Sequence, residues 1–595
     1  MTQWNVGKWP ALAVGLLLTA LAHNTHSTVP DSCDNESFSC NAPEINKSTN
    51  ISTSVLGNYS TWATSMDAEP CANVSRNIYA KGGKTVDAAI ATLLCMGVVL
   101  PHSMGIGGGF IATVYSKNKS KVEVLMARET APGCAHRDMF VNQSALVRMW
   151  GGMAVAVPGE LRGYEELHKH LNGSLKWENL FEDAIRLARQ GFRIGKHLAA
   201  AIKMGKKMTS ALANQTKKAF MNASGELLVE GDLLIQEDLA DTLKKISEEG
   251  ASYFYNGSLA KEIVAKVQNT GGIMTEEDLK NYTVKWVEPV NVSLEDGRTL
   301  YSAPPPGSGP VLGFILGIMN KFLNQTKCLE DTVTTLHRFA ESCKFGYAKR
   351  ALLGDPDFVN CTEVVRDMTS PQSFLNAKNK INDSCTYHDP GYYGFVNETI
   401  LQDTGTSHAV FWGTDGVVIS LSSTINGYFG SLVRTDSGVL LNNEMDDFST
   451  PGKANMYSVE ASQANYIAPG KRPMSSMAPL ILLNDKGEVV LAIGGTGGSK
   501  ITSGVAMVTM RTLWQAYNIK EAIDQPRIHH QLIPDNLMAE WFFPEDYQND
   551  LKDRGHNVTV VQRYNRFNVI MGVHKKCGRL YANADFRKGG AVDGD

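Results

Sequence analysis

The sequence predicts a layered α/β protein, and three observations support this prediction. One β-hairpin is indicated by SHAVFWG and VVISLSS around the turn TDG, and a second by APLILL and EVVLAIGG around NDKG. Apolar helical patterns stand on either side of them in the sequence, TVDAAIATLLCMGVVL before and TSGVAMVTMRTLWQAY after. Apolar hairpins flanked by apolar helices are typical of stacked sheet and helix layers.

The intervening pattern is consistent with this architecture. FIATVYS and KVEVLMARE predict two further paired strands. Helical patterns dominate from about residue 176 to residue 350, and SAPPPGSGPV indicates a loop between a strand and a helix.

The composition is ordinary for a globular protein. Of the 595 residues, 43% are hydrophobic and 20% are charged. The formal net charge of −4 and the lack of long runs of like charge give no basic surface for nucleic acid. We therefore expect no nucleic-acid partner.

Residues 1–22 have the features of a secretory signal peptide. An apolar run of about a dozen residues, ALAVGLLLTALA, ends in the small-x-small pattern Ala20-Leu21-Ala22. Because a bilayer span needs roughly 20 apolar residues, cleavage after Ala22 and secretion is the preferred interpretation. The alternative is a short uncleaved anchor, which would make a single-pass type II membrane protein at the cell surface.

Residues 23–60 are rich in Ser, Thr and Asn and lack a periodic apolar pattern, so they predict a flexible glycosylated stalk. Ordered structure is expected to begin near Cys71. About eighteen N-x-S/T sites occur, nearly all before Thr406, which predicts glycosylation mainly on the first two thirds of the chain. The ten cysteines should mostly be paired if the compartment is oxidising.

No metal site is expected. The cysteines do not form the close pairs that zinc sites use. His529 and His530 in PRIHHQL are adjacent, so their side chains should point in different directions and serve structural roles.

The stretch DTGTSHAV places hydroxyl side chains at the start of a buried strand, with Thr406 directly after Gly405. A loop entering a strand explains the pattern, because Gly favours turns and Thr favours strands. The alternative explanation is that Thr406 is a nucleophile that becomes a chain terminus. This stretch alone does not decide between the two.

The stretch GGTGGSK follows a strand and precedes a helix, where a phosphate-binding loop would lie. A P-loop needs glycine directly before its lysine and Ser or Thr directly after it, but here Ser499 and Ile501 occupy those positions. Nucleotide binding is therefore not expected. Gly497 and Gly498 could instead present backbone N–H groups to an oxyanion.

Three other stretches carry candidate side chains. ARETAP places Arg128 after a strand, and Arg suits a carboxylate because it can donate two parallel hydrogen bonds. NNEMDDF brings Glu444, Asp446 and Asp447 close together, as a solvated acidic turn, a cage for a substrate ammonium or a catalytic carboxylate pair. KRPMSSMAP holds Ser475 and Ser476 before an apolar strand.

Taken together, these stretches resemble the γ-glutamyltransferases of the N-terminal nucleophile class. HSMGIGGG, ARETAP, AVAVPGE, TINGYFG, NNEMDDFS, PGKRPMSSM, GGTGG and FRKGG occur in that family's order, from about Cys71 onward. The resemblance implies a four-layer αββα fold of the N-terminal nucleophile hydrolases, shared by two subunits cut from one precursor. The large subunit would comprise residues 61–405 and the small catalytic subunit residues 406–595, joined as a heterodimer.

The resemblance also implies how each candidate residue acts. Thr406 would attack the carbonyl of Gly405, and an N→O acyl shift and hydrolysis would leave it at the head of the small subunit. Its free amine, with an ordinary pKa of about 8, would then be the base that activates its hydroxyl. Thr424 would form a hydrogen bond with the hydroxyl of the nucleophile, and the N–H groups of Gly497 and Gly498 would bind the oxyanion.

The resemblance further implies how the substrate is bound. Arg128, Ser475 and Ser476 would bind its α-carboxylate. Glu444 and Asp447 would accept hydrogen bonds from its α-ammonium, with Asn426 nearby.

The implied activity is transfer of the γ-glutamyl group of glutathione or its conjugates. The group would pass through an ester on Thr406 to water or to an amino acid or dipeptide acceptor, without a cofactor or metal. The chemistry agrees with the residues, because a γ-glutamyl group carries a carboxylate and an ammonium on one carbon and needs both an Arg and acidic partners.

Cys71 and Cys95 match the spacing of a disulfide in the animal enzymes of this family. A second short-range pair of those enzymes is absent near FMNASG. A different bridging pattern is therefore expected for four other cysteines of the large subunit: Cys328, Cys343, Cys361 and Cys385.

Two alternatives remain open. A related acylase of the same fold that acts on other amides would not need Arg128 together with Glu444 and Asp447. A catalytically inactive secreted glycoprotein that works by binding could have lost Thr406, whereas every implied site residue is present.

Overall fold

The computed structural model describes residues 51–205, 211–395, 405–452, 461–563 and 567–595. The signal peptide predicted at residues 1–22 and the part of the predicted stalk before residue 51 lie outside these ranges. Residues 206–210, 396–404, 453–460 and 564–566 also lie outside them.

Most strands of the described residues belong to two large sheets. The strands are β1 (Gly57–Tyr59), β2 (Ala63–Met66), β3 (Gly109–Ser116), β4 (Lys121–Ala127), β5 (Phe192–Arg193), β6 (Leu233–Leu234), β7 (Lys285–Val287), β8 (Val290–Ser293), β9 (Thr299–Ser302), β10 (Gly405–Trp412), β11 (Val417–Asn426), β12 (Leu480–Leu483), β13 (Val489–Thr496), β14 (Ile528–His529), β15 (Leu537–Ala539), β16 (Val558–Val560), β17 (Val569–Lys576), β18 (Arg579–Ala584) and β19 (Ala591–Gly594).

The helices precede, connect and follow these strands. They are α1 (Val74–Ala80), α2 (Thr85–Val99), α3 (Ala145–Met149), α4 (Glu160–His170), α5 (Glu182–Gln190), α6 (Lys196–Gly205), α7 (Ala211–Lys218), α8 (Glu237–Glu249), α9 (Ser252–Asn256), α10 (Ser258–Asn269), α11 (Glu276–Asn281), α12 (Gly309–Asn320), α13 (Val333–Arg350), α14 (Thr362–Met368), α15 (Pro371–Lys380), α16 (Lys500–Trp514), α17 (Ile519–Asp524) and α18 (Glu545–Asp553). None of these helices, within the described ranges, combines the length and the apolar character that a membrane span requires.

Each of the two large sheets has seven strands, and the neighbours within each are antiparallel. One has the order β19-β2-β10-β11-β3-β4-β7, and the other has the order β1-β18-β17-β13-β12-β9-β8. Both hairpins predicted from the sequence are confirmed, since β10 pairs with β11 and β12 pairs with β13. The predicted pairing of FIATVYS with KVEVLMARE is confirmed as β3 and β4.

The sheets stack face to face because their strands carry apolar side chains on both faces. One face packs against the other sheet and the opposite face packs against helices. Val410 and Trp412 of β10 pack with Ile481 and Ala492 of the other sheet. Side chains at odd positions of β10, such as Phe411, belong instead to the apolar cluster that contains α2.

A second helix layer covers the far face of the other sheet. Leu480 and Leu482 of β12 and Ile493 of β13 pack in one apolar cluster with α12, α13, α16 and α17. The resulting order is helix, sheet, sheet, helix, so the predicted four-layer αββα fold is confirmed.

The end predicted for the stalk is wrong. Gly57–Tyr59 forms β1, inside the range 23–60 that the polar composition marked as flexible, and β1 pairs with β18. Backbone pairing to an established sheet edge orders this short segment although its side chains give no apolar pattern. Ordered structure therefore begins before Cys71.

Each sheet combines strands from both sides of the Gly405–Thr406 bond. In one sheet β2 lies between β10 and β19, and its Ala63 pairs with both Trp412 and Gly594. In the other, β1 pairs with β18 and β9 pairs with β12. The segments before and after the bond thus share one hydrogen-bonded body.

The expectation that most cysteines are paired holds only in part. Cys71 and Cys95 form the predicted disulfide, with an S–S distance of 2.00 Å, and Cys328 is also disulfide-bonded. The remaining cysteines of the described residues are thiols: Cys134, Cys343, Cys361, Cys385 and Cys577. The bridging expected among the large-subunit cysteines is therefore wrong for three of the four. Two of these, at positions 343 and 361, are buried in the apolar cluster around α13, where a thiol packs as a small hydrophobic group.

The contact between the sheets allows a test of the packing. A Cβ on Gly494 of β13 would lie 2.1 Å from Cε1 of His408, a fully buried residue of β10. We expect Gly494→Ala to lower the free energy of unfolding by about 1–3 kcal/mol, because the overlap forces the sheets apart. Gly195→Ala is the control, since no heavy atom lies within 4 Å of its added Cβ. Equal denaturation midpoints for the two variants would contradict the described packing.

Candidate functional site

Thr406 lies at the start of β10, beside an irregularity in the pairing of β10 with β11, and is buried. Its hydroxyl donates to Oγ1 of Thr424 at 3.4 Å. The Thr424 hydroxyl in turn donates to the carbonyl oxygen of Gly405 at 2.6 Å and accepts from the N–H of Asn426 at 2.8 Å. A hydroxyl therefore stands beside a carbonyl that a second hydroxyl polarises, which is a suitable arrangement for attack on that carbonyl.

A buried lysine holds the other side of Thr406. Lys588 is 6% exposed and donates to the carbonyl oxygen of Thr406 at 2.8 Å and to Oγ of Ser407 at 3.2 Å. It also forms an ion pair with Asp67. Burial raises the pKa of Asp67, and the charge of Lys588 opposes that rise. These contacts fix the backbone of β10 at the residue that carries the candidate nucleophile.

Arg128 contacts two of the three acidic residues of NNEMDDF. Its guanidinium, 1% exposed, forms ion pairs with Glu444 and with Asp447. Glu444 is fully buried, so the interpretation of this stretch as a solvated acidic turn is wrong. The reason is the buried arginine, which supplies the positive partner that buried carboxylates require. Burial raises the pKa of Asp447, and the positive charge of Arg128 offsets only part of this rise.

Two further carboxyls lie near this cluster. Asp446 forms an ion pair with Arg148, and burial raises its pKa to about 6. Glu129 is fully buried, with a carboxylate oxygen 3.8 Å from Nη1 of Arg128. Burial raises the pKa of Glu129 to about 7, against the opposing charge of Arg128. The site therefore concentrates both signs of charge at buried or largely buried positions.

Asn426 connects the candidate nucleophile to the acidic loop. It ends β11 with a φ of 68°, in the left-handed region that Asn tolerates better than most residues. Its side-chain amide donates to the carbonyl oxygen of Asn443 at 3.1 Å, directly before Glu444. Hydrogen bonds thus run from Thr424 through Asn426 to the residues around Arg128.

Ser475 and Ser476 lie in a loop that Arg128 also contacts. Arg128 donates to the carbonyl oxygens of Pro473 at 3.3 Å and Met474 at 3.5 Å. The loop is held on its other side, because the hydroxyl of Ser308 donates to the carbonyl oxygen of Ser475 at 2.6 Å. The structure therefore brings the two predicted serines next to the predicted arginine.

Gly497 and Gly498 form the turn between β13 and α16, with φ values of 125° and 61°. A Cβ on Gly497 would lie 2.9 Å from Cα of Asn568, so the close approach of that backbone also requires glycine. The turn joins the serine loop through Thr502 in the first turn of α16, whose hydroxyl donates to the carbonyl oxygen of Ser476 at 3.1 Å.

The two adjacent histidines have separate surroundings, as predicted. His529 contacts Ser503 and Gln531, whereas His530 contacts Asp535 at 3.3 Å. Nowhere in the described ranges do three His, Cys, Asp or Glu side chains converge in a way that could hold a metal ion.

Lys588, Asp67 and Glu160 were not predicted as part of the site. Two of them stand in motifs of the sequence, Lys588 in FRKGG and Glu160 in AVAVPGE. Their motifs could have indicated them, but a charged residue in a motif does not reveal which backbone or side chain it will contact. Asp67 had no sequence signal at all.

Glu160, at the start of α4, contacts the hairpin formed by β10 and β11. Its Oε1 accepts hydrogen bonds from the hydroxyls of Tyr164 and Ser423, the latter at 2.8 Å, and the side chain is fully buried. Burial raises its pKa from 4.5 to about 8. Ser423 precedes Thr424 on β11, so Glu160 supports the strand that contacts Gly405.

Comparison with known proteins points to one family. A family model described as Gamma-glutamyltranspeptidase matches residues 71–594. Scoloptoxin SSD14 of Scolopendra dehaani is 43% identical over 550 residues, which cover 91% of this chain and 94% of the relative. Glutathione hydrolase 2 of Arabidopsis thaliana is 37% identical over 550 residues, which cover 89% of this chain and 93% of the relative.

A solved structure shares the architecture. The crystal structure of a cephalosporin acylase from Bacillus halodurans superposes with a TM-score of 0.79 and 25% sequence identity, covering 91% of this chain and 97% of the acylase.

The raised pKa of Glu160 predicts a pH dependence of stability. The folded protein keeps a proton on this carboxyl between pH 4.5 and about 8, where the unfolded chain has lost it. The stability that it contributes is complete below pH 4.5 and is lost as the pH rises through 8.

Substitution of Glu160 tests this dependence. Gln accepts the same hydrogen bonds without ionising, so Glu160→Gln should show a smaller fall in Tm between pH 5 and pH 8 than the wild type. Glu165→Gln, at an exposed position of the same helix, should keep the wild-type fall. Identical falls in all three proteins would contradict the assignment.

Proposed function

The chain belongs to the gamma-glutamyltranspeptidase family, and we propose that it transfers the γ-glutamyl group of glutathione and its conjugates to water or to an amino acid or dipeptide. The observation that carries this proposal is the buried contact of Arg128 with Glu444 and Asp447, joined by hydrogen bonds to a threonine that begins a strand. An amide with a neutral or singly charged acyl group has no use for both signs of charge at this place.

Maturation would begin at the Gly405–Thr406 bond. The Thr406 hydroxyl would add to the Gly405 carbonyl carbon, and the C–N bond would break as the amine of Thr406 takes up a proton. Water would then hydrolyse the resulting ester. The 2.6 Å hydrogen bond from Thr424 to the Gly405 oxygen supports this route, because it lies where negative charge would develop. The products would be a large subunit that ends at residue 405 and a small subunit of residues 406–595.

Donor recognition would use the charged cluster. The α-carboxylate of the γ-glutamyl group would accept from Arg128, with help from the hydroxyls of Ser475 and Ser476. The α-ammonium would donate to Glu444 and Asp447, with Asn426 beside them. Desolvated ionic hydrogen bonds of this kind contribute roughly 1.5–3 kcal/mol each, enough to select a zwitterionic donor strongly.

Transfer would reuse the threonine that maturation exposes. The free amine of Thr406 would take the proton of its own hydroxyl, possible because an α-amine has a pKa near neutrality. The hydroxyl oxygen would attack the γ-carbonyl, and the N–H groups of Gly497 and Gly498 would stabilise the oxyanion. The peptide amine would leave with a proton, and water or an acceptor amine would then cleave the γ-glutamyl ester.

Secretion is part of this proposal. The disulfide between Cys71 and Cys95 supports an oxidising compartment. Cleavage after Ala22 would release the chain, and the glycosylation sites ahead of Thr406 would place the carbohydrate on the large subunit.

Self-cleavage gives the most direct test. The purified protein should run as two bands on a denaturing gel, and N-terminal sequencing of the smaller band should begin at Thr406. Thr406→Ala lacks the attacking hydroxyl, so it should remain one chain and release no amine from a γ-glutamyl anilide. Cleavage of Thr406→Ala at the same bond would show that another group or a protease makes the cut.

Substitution of Arg128 tests donor recognition. Lysine keeps the charge but cannot donate two parallel hydrogen bonds, so Arg128→Lys should lower kcat/KM for a γ-glutamyl anilide about ten- to a hundredfold. Self-cleavage should continue, because it needs no bound donor. The control is an analogue that lacks the α-carboxylate, on which wild type and variant should perform equally poorly. An equal loss on both substrates would mean that Arg128 supports the fold and does not bind the carboxylate.

A further inference from the structure

The turn that carries Gly497 and Gly498 is held from behind by Ser499, the next residue along the chain. Ser499 precedes α16 and is 2% exposed. Its hydroxyl donates to Oε1 of Gln531 at 2.7 Å, and its carbonyl oxygen accepts from the hydroxyl of Tyr347. Both the side chain and the backbone of this residue are therefore fixed by buried neighbours.

The orientation of Gln531 follows from its other contacts. Its Nε2 donates to the carbonyl oxygen of Ile533 at 3.1 Å, which can only accept. Oε1 must then face Ser499 and the Nε2 of His529, 2.9 Å away. His529 therefore carries its proton on Nε2 and accepts from the hydroxyl of Ser503 on Nδ1 at 2.7 Å. Burial lowers the pKa of His529 to about 3, so this chain of hydrogen bonds is neutral at physiological pH.

This restraint matters because the turn has no side chains of its own. Both glycines have positive φ values, and rotation of their peptide planes would change the direction of their N–H groups. The backbone of Asn568 limits Gly497 on one side. At the other end of the turn, the hydrogen bonds of Ser499 to Gln531 and Tyr347 restrict rotation of the backbone.

We propose that Ser499, Gln531 and Tyr347 are positioning residues that aim the N–H groups of Gly497 and Gly498 at the developing oxyanion. The inference rests on the proposed function, since it gives these residues a purpose only if an acyl oxyanion forms at the turn. Preorganised hydrogen-bond donors stabilise an oxyanion because they already point at it before the reaction begins. Even a small misalignment of their N–H groups therefore weakens this stabilisation considerably.

The two sides of the proposed cut contribute jointly to this support. Tyr347 stands on α13, before Gly405, whereas Ser499 and Gln531 follow Thr406. Through the hydroxyl of Tyr347, the large subunit would influence the geometry of the oxyanion site in the small subunit.

Three variants test the proposal: Gln531→Met, Ser499→Ala and Tyr347→Phe. Each should lower kcat for a γ-glutamyl anilide about tenfold while KM changes by less than about twofold, since the donor-binding cluster is untouched. Self-cleavage should be complete in all three variants, because the carbonyl oxygen of Gly405 accepts its hydrogen bond from Thr424 and not from this turn. A tetrahedral boronic acid analogue of the γ-glutamyl group should bind about tenfold more weakly, whereas binding of the product glutamate should not change.

Thr509→Val is the matched control. Thr509 lies on α16, the helix that follows Ser499, is fully buried, and its hydroxyl has no hydrogen-bond partner among the described residues. Its kcat and analogue binding should equal those of the wild type.

The outcomes separate this inference from the proposed function. If the wild type releases amine and Tyr347→Phe and Gln531→Met keep its kcat, the positioning role is overturned while the activity stands. The same holds if the analogue and glutamate weaken by the same factor, since that pattern indicates general damage. If the wild type is cut but releases no amine, the proposed function fails and this inference fails with it.

Discussion

The site depends on the enclosure of β10. One edge of this strand is paired with β11 along its length, and the other is paired with β2 from Ala409 to Trp412, while Lys588 contacts the carbonyl oxygen of Thr406. Both faces are covered, by α2 on one side and by the second sheet on the other. A strand held in this way has few alternative conformations, so the hydroxyl at its first residues keeps a fixed direction. A chain break at its start would free a terminus without freeing the strand. This constraint lets a threonine at the second position of a strand stand at the centre of a rigid site.

The same enclosure explains why the polar groups around Thr406 are ordered. Water is excluded, so each polar group needs a protein partner, and the hydrogen bonds from Lys588, Thr424 and Asn426 form a connected set. Where a carboxyl lacks sufficient partners, its pKa rises, as for Glu129 and Glu160. The site thus combines fixed dipoles with carboxyls that titrate close to neutrality.

Much of the architecture could be predicted from the sequence because apolar alternation survives without tertiary information. Two hairpins and their flanking helices were readable in this way, and the order of short motifs placed the candidate residues. Strand β1 could not be predicted, since its order comes from pairing with β18. The burial of Glu444 was also hidden, because it depends on Arg128, more than three hundred positions away in sequence and in contact only after folding. The roles of Lys588 and Gln531 could not be predicted for the same reason, because they depend on contacts with residues distant in sequence: Asp67 and Thr406 for Lys588, and Ser499 for Gln531.

The position of Lys588 has a consequence for the timing of synthesis. It contacts the carbonyl of Thr406 across a sequence separation of 182 residues. A ribosome that has just made the Gly405–Thr406 bond has not yet made the lysine that braces it, nor β19, which completes the sheet beside β2. A nascent chain therefore carries an unbraced bond until this distant segment has left the exit tunnel and docked. Ribosomal stalling or premature termination before residue 588 would leave a chain whose Gly405–Thr406 bond never reaches its folded geometry.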